Sequence, residues 1–566
     1  MKSPWRGFLT GWVIVIVGAY VAHLTQTTGG IIVKDVRFVG SSGNVLSALL
    51  YIPPNATAKT PAPGVLAVHG YINSREVQSG FAIEFARRGY VVLALDQTGH
   101  GYSDPPAFED GFGGPAALSY LRSLKVVDGN NIGLEGHSMG GWAVLAAATV
   151  FPDDYTSMVL EGSSTGPPFA AEGTSSWPRN VSVVFSQFDE FAEFMWGVER
   201  AQNVASSTKL QTLFGTNSKI IVGEIYGNIT AGTARILQQP PVTHPGDHIS
   251  HDAIGRALDW FAKTLVGGTP LPSEDQIWSR KELGTLTALI GLVVLILGTF
   301  HALLHTQFFK HLAKYPSGAA YSERSPKWWL LAIATAVIPV ATFYIFFGWG
   351  ENLLPPSSLL PQSITNQVVF WALLNGVIAA VIGLAGFPKK KFPTQPVLHC
   401  FLLALASVGI AYLAVILVDF LFLVDFRFWF VGVKPLSLLQ GQFALAYLLP
   451  FTLYFIFALR GLHGGLSVAT DKPFTTYAAN AFLLMGGFLL FLCAQYANLF
   501  LSGTLLTPGE PLNTIVMIQF VPLLLIVAII STFAYRRTAH YLPGAILSGI
   551  FVTWYIVAGQ ATHAFS

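Results

Sequence analysis

From residue 284 onward the sequence is a succession of apolar runs, near 284–305, 328–348, 366–387, 397–424, 440–459, 475–500, 512–535 and 541–562. Each is close to the roughly 20 residues a helix needs to cross the hydrocarbon core of a bilayer. Helices are the only open-ended elements that satisfy their own backbone amides there. Residues 284–566 are therefore expected to form an all-α transmembrane domain of about eight helices. The run at 397–424 is long enough to tilt or break.

A further run, 8–24, follows Lys2 and Arg6. A secretory signal peptide has the same layout, but no small-x-small cleavage site follows, so residues 1–29 read as a retained anchor. Between the apolar regions the composition changes. The whole chain is only 11% charged, against about 25% for an ordinary soluble protein, yet residues 30–282 carry Asp, Glu, Lys and Arg throughout. The segment 30–265 reads as a soluble domain, and 266–283, with its Gly and Pro, as a linker. The net charge of +2 gives no sign of a nucleic-acid partner. Both cysteines, Cys400 and Cys493, fall in apolar runs and read as neither disulfide partners nor metal ligands.

Lys and Arg in short loops set the expected orientation. With the N-terminus in the cytoplasm, the inner segments carry Lys2, Arg6, Lys310, Lys314, Arg324, Lys327, Lys389, Lys390, Lys391, Arg460, Lys472, Arg536 and Arg537. The outer ones carry Arg280, Lys281, Arg427 and Lys434, a balance of 13 to 4. The soluble domain and the C-terminus are then expected outside.

Within the soluble domain, short β-branched runs at 64–68, 90–95, 131–135, 157–160 and 181–186 alternate with helical stretches such as 78–88 and 114–124. That alternation predicts a mostly parallel sheet with helices on both faces. Residues 31–39 and 45–52 are expected to add an antiparallel edge. The run Gly136-His137-Ser138-Met139-Gly140 joins the strand at 131–135 to a helix at 141–150. Strand–Gly-x-Ser-x-Gly–helix is the context of a nucleophile elbow. Glycines flank a turn too sharp for side chains, Ser138 is pushed out at the sheet edge, and the helix N-terminus aims N–H groups at an anion formed there. The alternative is a Gly-rich turn with an idle serine.

Two further segments end strands: Val68-His69-Gly70-Tyr71, and Asp96 through Asp104 (DQTGHGYSD). Together with the elbow, and in this order, they resemble the α/β-hydrolase superfamily over roughly residues 31–265. The resemblance implies that Ser138 is a nucleophile and that the backbone N–H groups of Tyr71 and Met139 form an oxyanion hole. Asp96, His100 and Asp104 would brace a loop. It also implies the chain order nucleophile, acid, histidine. The acid is then expected just after the strand at 181–186, as Asp189, with Glu190 as the alternative.

Three histidines crowd the segment where the last member belongs: His244, His248 and His251. Ile254, Leu258, Phe261 and Leu265 mark one face of a final helix, with Ser250 as its N-cap, so His251 falls in the helix start. The last strand lies near 234–238, so His244 comes six residues beyond it and His248 ten. His244 fits the family's position better. His248 is the alternative, and whichever is not used could brace the loop through Asp247.

The insertion 191–233 could cover the site or simply pack; Phe191, Phe194 and Trp196 are expected in the core. Asp419, Asn375, His399, Gln495 and Gln519 are polar positions in apolar runs, where helix-to-helix hydrogen bonding is the ordinary role. His301 and His305 read as interfacial rather than metal ligands. The function expected is a membrane-bound serine hydrolase of an ester or related acyl compound. The alternatives are acyl transfer to a membrane-borne acceptor, and a receptor or transporter whose hydrolase-like domain only binds. No cofactor or metal is called for; the expected partners are an acyl substrate, small or lipid, and the membrane lipids.

Overall fold

A computed structural model of the chain describes residues 3–386 and 391–564. Lys2, Lys389 and Lys390, counted above for orientation, lie outside the described residues. After helix α1 (Arg6–Gln26) comes β1 (Ile32–Val39), β2 (Val45–Ile52), β3 (Ala62–Val68), α2 (Ser79–Arg87), β4 (Val91–Asp96), α3 (Gly114–Ser123), β5 (Val127–His137) and α4 (Met139–Val150). The domain continues through β6 (Ser157–Glu161), β7 (Val181–Val184), α5 (Ala192–Trp196), α6 (Thr208–Phe214), β8 (Ile225–Tyr226), β9 (Arg235–Gln238) and α7 (His251–Thr264).

The nine strands form one sheet in the order β1-β2-β4-β3-β5-β6-β7-β9-β8. Pairings from β4 across to β9 are parallel, and both edges are antiparallel. The β1–β2 edge was expected; the two-residue β8 was not, being too short to leave a pattern. Alternate residues of each strand feed opposite faces. Leu66, Leu93, Leu134 and Leu160 pack under α3 and α4, while Val65, Val92 and Val159 pack under α2 and α7. Both faces are covered, so the central strands read as continuous apolar runs.

The second half contains α8 (Trp278–Leu304), α9 (Pro326–Ala341), α10 (Phe343–Leu353), α11 (Ser363–Ala385), α12 (Val397–Phe422), α13 (Leu438–Arg460), α14 (Pro473–Ser502), α15 (Pro511–Thr538) and α16 (Leu542–Gly559). Among the described residues, eight helices are long and apolar enough to cross a membrane, and α9 with α10, bent by 47°, meets the same test only when the two are taken together. Pro339 sits inside α9 just before the bend, where its ring and missing N–H break the hydrogen-bond ladder. The run at 397–424 is one continuous helix, α12.

Helix α1 lies along α8 at backbone distance. A Cβ added at Gly18 would come within 2.5 Å of the Ala288 nitrogen, and one at Gly291 within 2.6 Å of the Val15 nitrogen. Small residues let membrane helices approach this closely.

The soluble domain sits directly on the bundle. A hairpin between α12 and α13, β10 (Phe426–Phe428) and β11 (Val431–Val433), leads to Lys434. Its ammonium donates to both oxygens of Glu76, at 3.0 and 3.2 Å. The C-terminal segment also returns to the domain: Thr562 exchanges backbone hydrogen bonds with Gly99 and Ala107, both 2.8 Å.

Candidate active site

At the end of β5 the chain turns through Ser138, whose φ of 53° and ψ of −120° are unfavourable for a residue with a side chain. The sequence makes the turn possible. A Cβ at Gly136 would collide with the Gly140 carbonyl, and one at Gly140 with the Val68 carbonyl. The Ser138 N–H donates to the Glu161 carbonyl at 2.8 Å, tying the turn to β6. Strain of this kind is held only where the surroundings over-determine it. Here it leaves Ser138 facing a cavity at the carboxyl edge of the sheet.

His244 lines the same cavity, on the loop after β9. Its Nδ1 is 2.8 Å from Asp189 Oδ2, and Asp189 Oδ1 accepts the Phe191 N–H at 2.8 Å. Burial alone would lower the His244 imidazole, but the charge and hydrogen bond of Asp189 outweigh it and the net direction is upward. The His244 N–H donates to Glu190 Oε2 at 2.8 Å. The ring of Phe191 lies 4.6 Å from that of His244. Glu190 is therefore not the partner of the imidazole; it holds the backbone of the same residue. Burial, with the nearby Asp189 charge, pushes its carboxyl up to about 7.

Neither of the other two histidines pairs with Asp189. His251 opens α7, capped by Ser250, whose Oγ accepts the Ala253 N–H at 3.1 Å. His248 also lines the cavity, but among the described residues neither ring nitrogen has a hydrogen-bond partner. Burial, followed by His244, lowers it to about 3. Asp247 does not brace His248, contrary to expectation; it accepts from Ser186 Oγ at 2.5 Å. Nor is the 191–196 cluster uniformly core. Trp196 is buried, but Phe194 is 52% exposed and Phe191 faces the cavity.

Gly70 and Tyr71 also border the cavity. Among the described residues no protein acceptor takes the N–H of Tyr71 or Met139. The Tyr71 hydroxyl pairs with His563 Nε2 at 3.0 Å, which brings the C-terminal segment to the rim. Asp96 accepts from the Arg75 and Tyr102 N–H groups at 2.8 and 3.0 Å, and Asp104 from the Val45 N–H at 2.8 Å. His100 Nδ1 is 3.0 Å from the Thr98 carbonyl. These three groups are occupied by backbone groups of their own loop and of the neighbouring segments at Val45 and 72–75.

A family profile described as alpha/beta hydrolase fold matches residues 63–218, which span β3, the elbow and the β7 loop. The chain carries an α/β-hydrolase domain. The monoacylglycerol lipase of Mycolicibacterium smegmatis is 33% identical over 113 residues, 18% of this chain and 38% of that one. The quorum-quenching protein AidA of Acinetobacter baumannii is 33% identical over 124 residues, 20% of this chain and 38% of that one. The chain thus spans well under half of these curated relatives. Among solved structures, a Pyrococcus furiosus esterase is similar at 16% identity, with a TM-score of 0.30 and coverage of 42% of this chain and 94% of that one. A thioesterase domain from the curacin biosynthetic pathway is similar at 14% identity, with a TM-score of 0.29 and coverage of 41% and 99%.

Part of the wall of the α/β-hydrolase site comes from the second half of the chain: Phe430 of the hairpin and Leu512, Ile515 and Gln519 of α15 line the same cavity as Ser138. Sequence reasoning missed all four. Gln519 stood out only as a polar residue in an apolar run, Leu512 and Ile515 are indistinguishable from ordinary membrane-helix positions, and Phe430 lies in the hairpin between two runs.

Proposed function

We propose that the chain is a membrane-bound serine hydrolase acting on an ester or related acyl compound through Ser138, His244 and Asp189. The observation that carries this reading is the 2.8 Å pairing of His244 Nδ1 with Asp189, on a histidine that shares one cavity with the elbow serine. With Nδ1 held by Asp189, the Nε2 of a neutral His244 is the basic nitrogen. It takes the Ser138 proton as Oγ attacks the carbonyl carbon. The tetrahedral oxyanion lies against the Tyr71 and Met139 N–H groups. As the bond to the leaving alcohol breaks, His244 returns the proton to that oxygen, leaving an acyl-serine. Water, deprotonated by the same imidazole, then releases the acid and restores Ser138.

The positive-inside balance supports a domain on the extracytoplasmic side of the cell membrane. A fluorophosphonate probe should label the wild type and not Ser138→Ala; equal labelling of both would reject the mechanism. A second reading, acyl transfer to a membrane-borne alcohol or amine, is favoured by the bundle wall over the site, which brings a lipid-phase acceptor nearer than in an open cleft. Product analysis with water and alcohol acceptors separates the two.

A further inference from the structure

The Ser138 cavity does not end at the domain boundary. Gln519, on α15, lines it and also lines a second cavity inside the bundle. Along α15, Leu512, Ile515 and Gln519 face the first cavity, and Val516, Gln519, Leu523 and Val527 the second. These positions recur at helical spacing and form one stripe. From Leu512 to Val527 the stripe runs about 22 Å at 1.5 Å per residue, most of the roughly 30 Å hydrocarbon thickness.

The second cavity is walled on its other sides by Trp371 of α11 and Phe451 of α13. Its polar groups are Gln519, Tyr555 and Gln560, with Tyr454 farther along. The Tyr555 hydroxyl is spent on Gln519 Oε1 at 2.5 Å. Tyr454 also borders a third cavity in the far half of the bundle. The first two cavities share Gln519, and the second is walled mainly by aliphatic and aromatic side chains, a lining that suits an alkyl chain better than a headgroup. An empty apolar slot would forfeit dispersion contacts along its walls, and a polar headgroup would lose most of its hydrogen bonds there. An alkyl chain restores the first without incurring the second.

We infer that the substrate is a long-chain acyl ester drawn from the bilayer, with its carbonyl at Ser138 and its chain passing Gln519 into the bundle beside α15. This rests on the hydrolase reading and adds the substrate class and the subsite. The bundle then both anchors the enzyme and measures the acyl chain. A substrate already dissolved in lipid gains little by moving its tail into this slot, so the slot's contribution is to position the carbonyl.

The test uses the full-length protein in detergent or nanodiscs. A fluorophosphonate with a dodecyl tail ending in a diazirine is reacted with the wild type and photolysed. Crosslinks from Ser138 to peptides of α11, α13, α15 or α16 are expected. Crosslinks confined to detergent or lipid would overturn the inference. In parallel, the ratio of long-chain to short-chain labelling rates is measured in Val516→Phe and Val527→Phe. At least a tenfold drop is expected, with Val527→Phe sparing chains of intermediate length that Val516→Phe excludes. Leu525→Phe, on the lipid-facing side of α15, should leave the ratio unchanged. Ratios within twofold of wild type in both cavity variants, with Ser138 still labelled, would refute the slot alone. No Ser138-dependent labelling by any probe would refute the hydrolase reading and the slot with it.

Discussion

The hydroxyl of Tyr496, on membrane helix α14, donates to Glu190 Oε1 at 2.8 Å. The other oxygen of Glu190 accepts the backbone N–H of His244. A residue of the bundle thus holds the loop that carries the candidate general base. Tyr496→Phe removes the donor and keeps the ring. One such hydrogen bond contributes about 0.5–1.5 kcal/mol when Glu190 is neutral and about 1.5–3 kcal/mol when it is ionised, only part of which reaches the imidazole. We expect kcat/KM to fall by roughly tenfold, with short-chain and long-chain esters affected alike. An unchanged kcat/KM would show that α14 does not position His244.

Ser138→Ala should reduce turnover by about 10⁴-fold or more, the scale of losing a triad nucleophile. Folding should survive, because the flanking glycines and the Ser138 N–H bond to Glu161 remain. Wild-type esterase activity in the purified variant would dismiss the mechanism.

His244→Ala and His248→Ala should differ in kind. The first removes the partner of Asp189 and should abolish acylation of Ser138. The second removes a ring that lines the cavity without a hydrogen bond among the described residues, and should weaken acylation only partly. Stopped-flow acylation with a chromogenic ester reads both. A dead His248→Ala beside a fully active His244→Ala would reverse the assignment.

Activity and stability should respond to pH in opposite directions. His244 must be neutral to accept the serine proton, and its pKa lies above the ordinary 6.5. Its kcat/KM should therefore fall as pH drops through that raised value. At Glu190 the carboxyl is raised from 4.5 to about 7. Between those values the folded chain keeps a proton that the unfolded chain has lost, so stability is fullest below 4.5 and declines as pH rises through 7. Glu190→Gln should flatten that decline in thermal unfolding measured across the window. A slope equal to wild type would contradict the assignment.

Orientation can be read from intact cells. Protease added outside should cut the 266–283 linker. A cysteine at Lys391→Cys, in a Cys493→Ser background because Cys493 is exposed, should resist an impermeant thiol reagent. The reverse pattern would place the hydrolase domain in the cytoplasm.

The sequence by itself determined the two architectures and the elbow. Apolar runs near 20 residues admit only helices in hydrocarbon, and each expected run corresponds to a helix or, at 328–348, to a bent pair. Strand–helix alternation, an N-cap at Ser250 and glycines at 136 and 140 are local signals, because the forces that require them act within a few residues. The choice among His244, His248 and His251 rested on distance from a strand. Only the folded chain brings the His244 imidazole to Asp189 across 55 positions. The roles of Glu190 and Tyr496, separated by 306 positions, left no local trace. The same holds for Leu512, Ile515 and Gln519, whose meaning depends on which side of α15 meets the domain. A membrane helix is apolar all round, so its periodicity does not distinguish a face turned to lipid from one turned to a reactive serine; that distinction exists only once the domain is seated on the bundle.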